Sequence, residues 1–421
     1  MKADYQRIFS NATSLFILQL ITYAISLAAV PYLVRILGPS KYGLVIFAQS
    51  IITYFIFLVD YGFDIWGTMK VAENQSDKAY LSEIFHNVMA TKVLLGVFGF
   101  ILTFVIVFSI EKLRLEWRLI FLTYGMIIGQ VLIPSWFFRG VEKMKFIAFC
   151  LIFVKALYLV LIFMFVKSDA DYMFVPIANF IAYNIAGVLG LFTIYYSFKL
   201  SFVFPSVSGI IKGLKEGFAY FAKALTDNFA KITNTVILGL IAGDAAVGFY
   251  GSAEKLMDAV RAMISPVFQA IFPHVRKLAS NSKKDWFQFM KKLVPLVIIF
   301  STLLSLSIFL FAGFGVRLVL GDKFEASIAV LKILSVYLFF FTINNIMGVQ
   351  TLVCFDRGKA FLSLTLLAKS LGVLFSLLFI KFFYVNGAAA ALVFTEAAYS
   401  FFLFIYIIKS GLFSDLRRST N

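Results

Sequence analysis

Long apolar runs broken by short polar turns recur along the whole chain of 421 residues. A run of about 18 or more apolar residues can cross a hydrocarbon core about 30 Å thick as an α-helix. The pattern predicts twelve such spans, over residues 11–34, 42–64, 84–108, 117–138, 145–166, 172–196, 216–242, 247–272, 289–313, 326–350, 359–381 and 387–408. Nearly every connection is short, which leaves no room for a soluble domain on either face. The expected fold class is an all-α polytopic membrane protein.

Two consecutive spans break the apolar pattern. In GFAYFAKALTDNFAKITNTVILGLIAG, Lys223, Asp227, Lys231 and Asn234 follow i, i+4, i+8, i+11 and share one helical stripe. After a tight turn, VGFYGSAEKLMDAVRAMISPVFQAIFP carries Glu254, Asp258 and Arg261 at i, i+4, i+7, with Lys255 beside them. An ionisable residue at the bilayer centre costs roughly 2.5–3.5 kcal/mol on insertion scales, so such residues face a cavity or a partner. The expectation is a hydrophilic lumen lined by these stripes. With the turn centred near Asp244 and Ala245, antiparallel packing puts Asp227 level with Arg261 and Lys231 level with Asp258.

Composition agrees with the span pattern. The chain is 61% hydrophobic, 18% aromatic and 14% charged, whereas soluble domains are about 45–50% apolar and about 25% charged. Its net charge of +16 comes largely from Lys and Arg in short connections, twenty-one on one side of the predicted membrane against nine on the other. That asymmetry makes the richer side, and both termini, cytoplasmic, and it replaces nucleic acid as the reason for the basic excess. The first apolar run is too long for the core of a cleaved signal and reads as a retained span. Cys150 and Cys354 offer no metal or redox spacing, and no cofactor or metal site is expected.

The two halves echo each other. RILGPSKYGLVIFAQS and LIAGDAAVGFYGSAEK align Gly38, Gly43 and Ala48 with Gly243, Gly248 and Ala253; FFRGVEKMKFIAF resembles CFDRGKAFLSL. Six spans per half make a repeat of parallel topology, a plan common among secondary transporters. The expected organisation is a six-helix bundle over 1–200, a cytoplasmic linker over 201–213 with room for a short amphipathic helix, and a second bundle over 214–421. Pro31, Pro134, Pro266 and Pro273 fall where bends could act as hinges.

The stretch PYLVRILGPSKYGLVIFAQSIITYFIFLVDYGFDIWGTMKVA, with its LGP-x-x-YG turn and DYGF, and the later VGFY and FP, resembles the polysaccharide-repeat flippases called Wzx. These form a branch of the multidrug/oligosaccharidyl-lipid/polysaccharide exporter superfamily, and the resemblance extends over the full chain. It implies two pseudo-symmetric six-helix bundles set in a V, as in multidrug-extrusion transporters, with a lumen walled chiefly by the first, second, seventh and eighth spans. The implied cargo is an undecaprenyl-pyrophosphate-linked oligosaccharide, an O-antigen or related repeat unit. By the same resemblance it crosses the bacterial inner membrane from the cytoplasmic to the periplasmic leaflet by alternating access. Coupling to H+ or Na+ would need an acid in the lumen, and a polysaccharide polymerase and chain-length regulator are candidate partners.

A pyrophosphate headgroup needs positive charge along its path. Lys92, Lys155, Lys223, Lys231, Lys255, Arg261, Lys332 and Lys369 lie at membrane depth, against Asp227, Glu254, Asp258 and Glu396. The expected interior is therefore cationic. Gln49 and Thr53 on the second span are candidate sugar contacts, and Asp60, Asp64 and Glu396 are candidates for gating or coupling. The structural alternatives are i, i+4 pairing along one helix and lysines that reach out to an interface. Two other functions are disfavoured: a cation-coupled drug exporter of the same fold, by the cationic interior, and a membrane polymerase or glycosyltransferase, by the want of the large extramembrane catalytic loop such enzymes need.

Overall fold

The structure, a computed structural model, describes residues 2–412, with the side chains of residues 2–24, 26, 27 and 227 outside that description. Helices make up the regular elements among the described residues. A chain immersed in lipid must satisfy its backbone N–H and C=O groups internally, and a helix does so within one segment.

The helical run Lys2–Asp60 is interrupted at Gly38, where φ is 67° and ψ is 175°. This divides it into α1 (2–37) and α2 (39–60), and α2 resumes as Phe63–Glu73 beyond a left-handed Gly62. There follow α3 (Lys78–Ser109), α4 (Trp117–Leu132, continued by Ser135–Gly140), α5 (Met144–Phe165) and α6 (Phe174–Thr193). The second set comprises α7 (Val207–Ala242), α8 (Asp244–Asn281), α9 (Lys283–Val319) and α10 (Ala326–Asn344, continued by the wider π-type turns of Asn345–Val353). The run Gly358–Lys409 breaks at Tyr384 into α11 (358–383) and α12 (385–409). Twelve long helices are thus present among the described residues, as the apolar pattern predicts.

Eight helical stretches among the described residues are long and apolar enough to cross a membrane, and two of these, Ala28–Glu73 and Gly358–Lys409, contain a turn or break. α8 is not among them. Its charges lower its hydropathy, the same anomaly the sequence displays.

The chain divides into two compact units. One consists of Val45–Leu225 with the chain up to Leu37; the other consists of the chain from Thr226 with the short segment Gly38–Leu44. α7 begins at Val207 and runs unbroken to Ala242, so helix already occupies part of the expected linker, and the irregular stretch covers residues 199–206. In the first unit, Phe63, Trp66, Phe85, Trp136, Phe137 and Phe138 form a buried aromatic core. Trp66 Nε1 donates to Glu216 Oε2 at 2.9 Å, tying α2 to the start of α7. Of the predicted proline bends, Pro134 coincides with the break in α4, whereas Pro266 and Pro273 lie inside a continuous α8. α9 presents Leu303, Leu310, Phe311, Phe314 and Leu318 outward, as a lipid-facing helix should.

Within the second unit, the two turns paired by the sequence repeat interlock. Gly38 (φ 67°, ψ 175°) and Gly243 (φ 86°, ψ 179°) share one conformation, in a region essentially reserved for glycine. Gly43 lies against the backbone of Asp244 and Gly248, and Gly248 lies against the carbonyl of Pro39. A Cβ at Gly38 meets nothing within 4 Å, so Gly38→Ala tests conformation alone; a Cβ at Gly43 would collide with the Asp244 carbonyl. Gly38→Ala should cost about 1–3 kcal/mol from backbone strain, and Gly43→Ala a similar amount from overpacking. Thermal unfolding of the detergent-purified protein is the check, and unchanged midpoints for both variants would refute this account of the turns.

Candidate functional site

The charged faces of α7 and α8 meet inside the second unit. Gly243 turns the chain so that the helices run antiparallel, and Lys231 Nζ reaches Asp258 at 2.8 Å to Oδ2 and 3.0 Å to Oδ1. Glu254 Oε1 stands 3.7 Å from the same ammonium and accepts the Tyr250 hydroxyl at 2.9 Å. Arg261, one turn along α8, pairs with Asp258 Oδ1 at 3.0 Å and donates to the Tyr337 hydroxyl of α10, also at 3.0 Å. Its guanidinium also sits over the Phe341 ring, 5.8 Å from the centroid. Asn234, 1% exposed, fastens α7 to α12 by donating to the carbonyl of Ala388 at 3.0 Å.

The network's charged side chains are partly exposed, but the space between them is small. The cavity among Lys231, Glu254, Asp258, Arg261 and Tyr337 is about 10 Å³, barely the room one water needs. Nothing as large as a pyrophosphate enters it unless the ion pairs part.

A second network joins α10, α11 and α12. Lys369 Nζ binds Glu396 Oε1 at 2.5 Å, and the other carboxylate oxygen accepts Asn344 Nδ2 at 2.7 Å. The Ser400 hydroxyl donates to Asn344 Oδ1 at 2.6 Å and holds that amide in place. Across the two networks, Lys231, Arg261 and Lys369 face Glu254, Asp258 and Glu396, three against three. The cationic excess expected from the sequence is therefore not found within these clusters. Each cation of these clusters is matched by a carboxylate, since an unmatched buried charge is expensive.

The first unit contains a comparable pair. Lys92 of α3, 2% exposed, bonds Asp60 Oδ1 of α2 at 3.0 Å, and Gln130 of α4 approaches the other oxygen at 3.5 Å. Lys92 is thus enclosed within the bundle, with Asp60 as its counter-charge. Asp64 accepts Ser135 Oγ at 2.8 Å and pairs with Arg139 at 3.3 Å, bracing α2 against the short helix Ser135–Gly140. The Thr53 hydroxyl donates to the carbonyl of Gln49 at 2.7 Å, a bond within its own helix, while the Gln49 side chain is half-buried. Lys332 lies over the ring of Phe309, 5.3 Å from its centroid. Lys223 and Lys255 are exposed, and the expected partnership of Asp227 with Arg261 falls outside the described residues.

The depth rule that pairs Lys231 with Asp258 could have found the other two pairs. Asp60 and Lys92 are equidistant from Ser76, in the turn between α2 and α3; Lys369 and Glu396 are equidistant from the Phe382–Phe383 bond beside the break at Tyr384. Opposite charges mirrored about a hairpin turn were the signal in all three cases. Tyr250, Tyr337, Asn344 and Gln130 gave none, because a neutral polar residue in an apolar span costs too little to stand out.

The architecture has counterparts among solved structures. The fold is that of the multi-pass α-helical transporters of the MOP superfamily. A solved structure described as the inward-facing conformation of a multidrug resistance MATE family transporter of that superfamily matches with a TM-score of 0.76 at 14% identity, over 96% of this chain and 100% of the other. The lipid II flippase MurJ in an inward closed conformation matches at 0.73 and 11% identity, over 98% of this chain and 91% of that one. The family model described as "Polysaccharide biosynthesis protein" matches residues 8–279, and the chain belongs to that family. A protein of Escherichia coli (strain K12) named "Putative O-antigen transporter" is 26% identical over 405 residues, 96% of this chain and 97% of that one.

Proposed function

We propose that the protein is a secondary transporter that flips lipid-linked oligosaccharide, an O-antigen or related repeat unit on undecaprenyl pyrophosphate, from the cytoplasmic to the periplasmic leaflet of the inner membrane. Membership of the polysaccharide biosynthesis family carries the reading, and the near full-length similarity to a protein named as an O-antigen transporter supports the cargo class. The basic asymmetry of the connections supports cytoplasmic termini.

In this reading Lys231 and Arg261 are the phosphate-binding cations, held in reserve by Asp258 and Glu254. A guanidinium binds phosphate oxygens bidentately, while an ammonium acts as a point charge. The pyrophosphate competes for both cations, the pairs part, and the freed carboxylates become sites for H+ or Na+ to enter as the coupling ion. Closing the network again expels the anion, so occupancy and conformation are linked through the same four side chains as access alternates between the two faces.

The test is deletion of the gene followed by analysis of undecaprenyl-linked lipids. Repeat units on undecaprenyl pyrophosphate should accumulate facing the cytoplasm and clear when the wild-type gene is restored. A deletion strain without such accumulation, or one in which export of organic cations is the lost activity, would sink the reading.

A further inference from the structure

A second cleft in the same unit has chemistry unlike that of the ion pairs. It lies between α8 and α10, encloses about 400 Å³, and has Ser265, Phe268, Gln269, Phe272, Asn345 and Gln350 in its walls. That volume falls in the range of about 300–1,000 Å³ of small-molecule sites. None of the lining side chains is ionisable.

Its polar atoms are uncharged acceptors and amide donors. Gln350 is 1% exposed, and its Nε2 is already spent on the carbonyl of Phe268 at 3.1 Å and on Asn345 Oδ1 at 3.3 Å. That fixes the amide with Oε1 buried and lacking a hydrogen-bond partner, a state that costs about 1–3 kcal/mol unless a donor arrives. The Ser265 hydroxyl donates its proton to the Arg261 carbonyl at 3.0 Å and keeps lone pairs to accept with. Pro273 lies inside α8 and has no N–H to give the carbonyl of Gln269, four residues earlier. The backbone of α10 is adapted to this face: π-type turns span Asn345–Val353, and they bring Asn345 and Gln350, five residues apart, into contact. Such turns occur frequently at functional sites.

Uncharged donors and acceptors of this kind carry no cation to offset a pyrophosphate and suit hydroxyl groups, which both give and accept hydrogen bonds. Two phenylalanine rings beside them suit the apolar C–H face of a pyranose. An organic cation would find the rings but no carboxylate, and a buried charge without a counter-ion is unfavourable. We propose that this cleft is a saccharide subsite, which receives a neutral sugar of the lipid-linked glycan while the charged network receives the pyrophosphate. The inference rests on the proposed function and adds a separate place for the glycan.

The experiment uses the full-length protein in nanodiscs, wild type and the variants Gln269→Leu and Asn345→Leu. Three probes are compared: lipid-linked glycan extracted from cells lacking the gene, undecaprenyl pyrophosphate without sugar, and tetraphenylphosphonium. Glycan affinity should fall about tenfold in each variant, the loss of about one hydrogen bond. Undecaprenyl pyrophosphate should bind each variant as it binds the wild type, which also reports correct folding, and the organic cation should not compete. Equal weakening of both lipid probes, unchanged glycan affinity, or competition by tetraphenylphosphonium would overturn the saccharide subsite alone. If cells lacking the gene yield no lipid-linked glycan, the proposed function fails first and this inference goes with it.

Discussion

Lys231→Glu abolishes transport, Asp258→Lys does the same, and the double exchange restores a substantial part of it. This is the largest effect expected anywhere in the second unit. Each single change leaves three like charges against one in the cluster of Lys231, Glu254, Asp258 and Arg261, whereas the exchange returns it to two against two. Breaking a buried ion pair from one side costs about 3–5 kcal/mol, equivalent to a hundredfold or more in an equilibrium constant. Flux of lipid-linked glycan across the membrane, read beside thermal unfolding of the purified variants, separates a lost function from a lost fold. A double variant no better than the worse single one, or single variants that transport normally, would remove the pair from the mechanism.

Lys92→Met is the second large effect. It leaves Asp60, among the described residues of the first unit, with Gln130 at 3.5 Å, at a cost of about 3–5 kcal/mol. Replacing both partners, as in Lys92→Met with Asp60→Leu, should recover most of that stability, since an apolar pair of similar volume is often neutral or better. Transport should recover with it, because Lys92 is enclosed and binds α3 to α2. Recovery of the melting temperature without recovery of flux would instead make the pair part of ion coupling. A double variant that stays unstable would show that the pair's geometry, beyond its charge, holds the helices.

Hydropathy alone gave the order of the helices, and energetic anomaly marked the two that carry the α7–α8 network. Depth arithmetic about Asp244–Ala245 brought Lys231 opposite Asp258, where the structure has them 2.8 Å apart. What could not be read was compensation. Counting lysines against carboxylates treats every charge at membrane depth as facing the same space, but side-chain direction decides that. Lys223 and Lys231 lie on one helical stripe, yet Lys231 is enclosed by Asp258 and Glu254 while Lys223 is exposed. Gln350 was invisible for a related reason. Nothing in the letters QT after a run of apolar residues reveals that the helix widens there and leaves an amide oxygen without a donor.

The interlocked glycine turns carry a consequence for how the chain is made. Residues 38–44 belong to the unit formed by the chain from Thr226, and Gly43 rests on Gly248. At about 5–20 residues per second, the ribosome needs roughly 10–40 s between making these two glycines. The first hairpin therefore waits through most of the first unit's synthesis before its partner exists, and the second unit is finished with one of the oldest pieces of the chain. A gene cut after Leu225 would divide that unit from its own keystone, and the two products would need to find each other in the membrane to complete it.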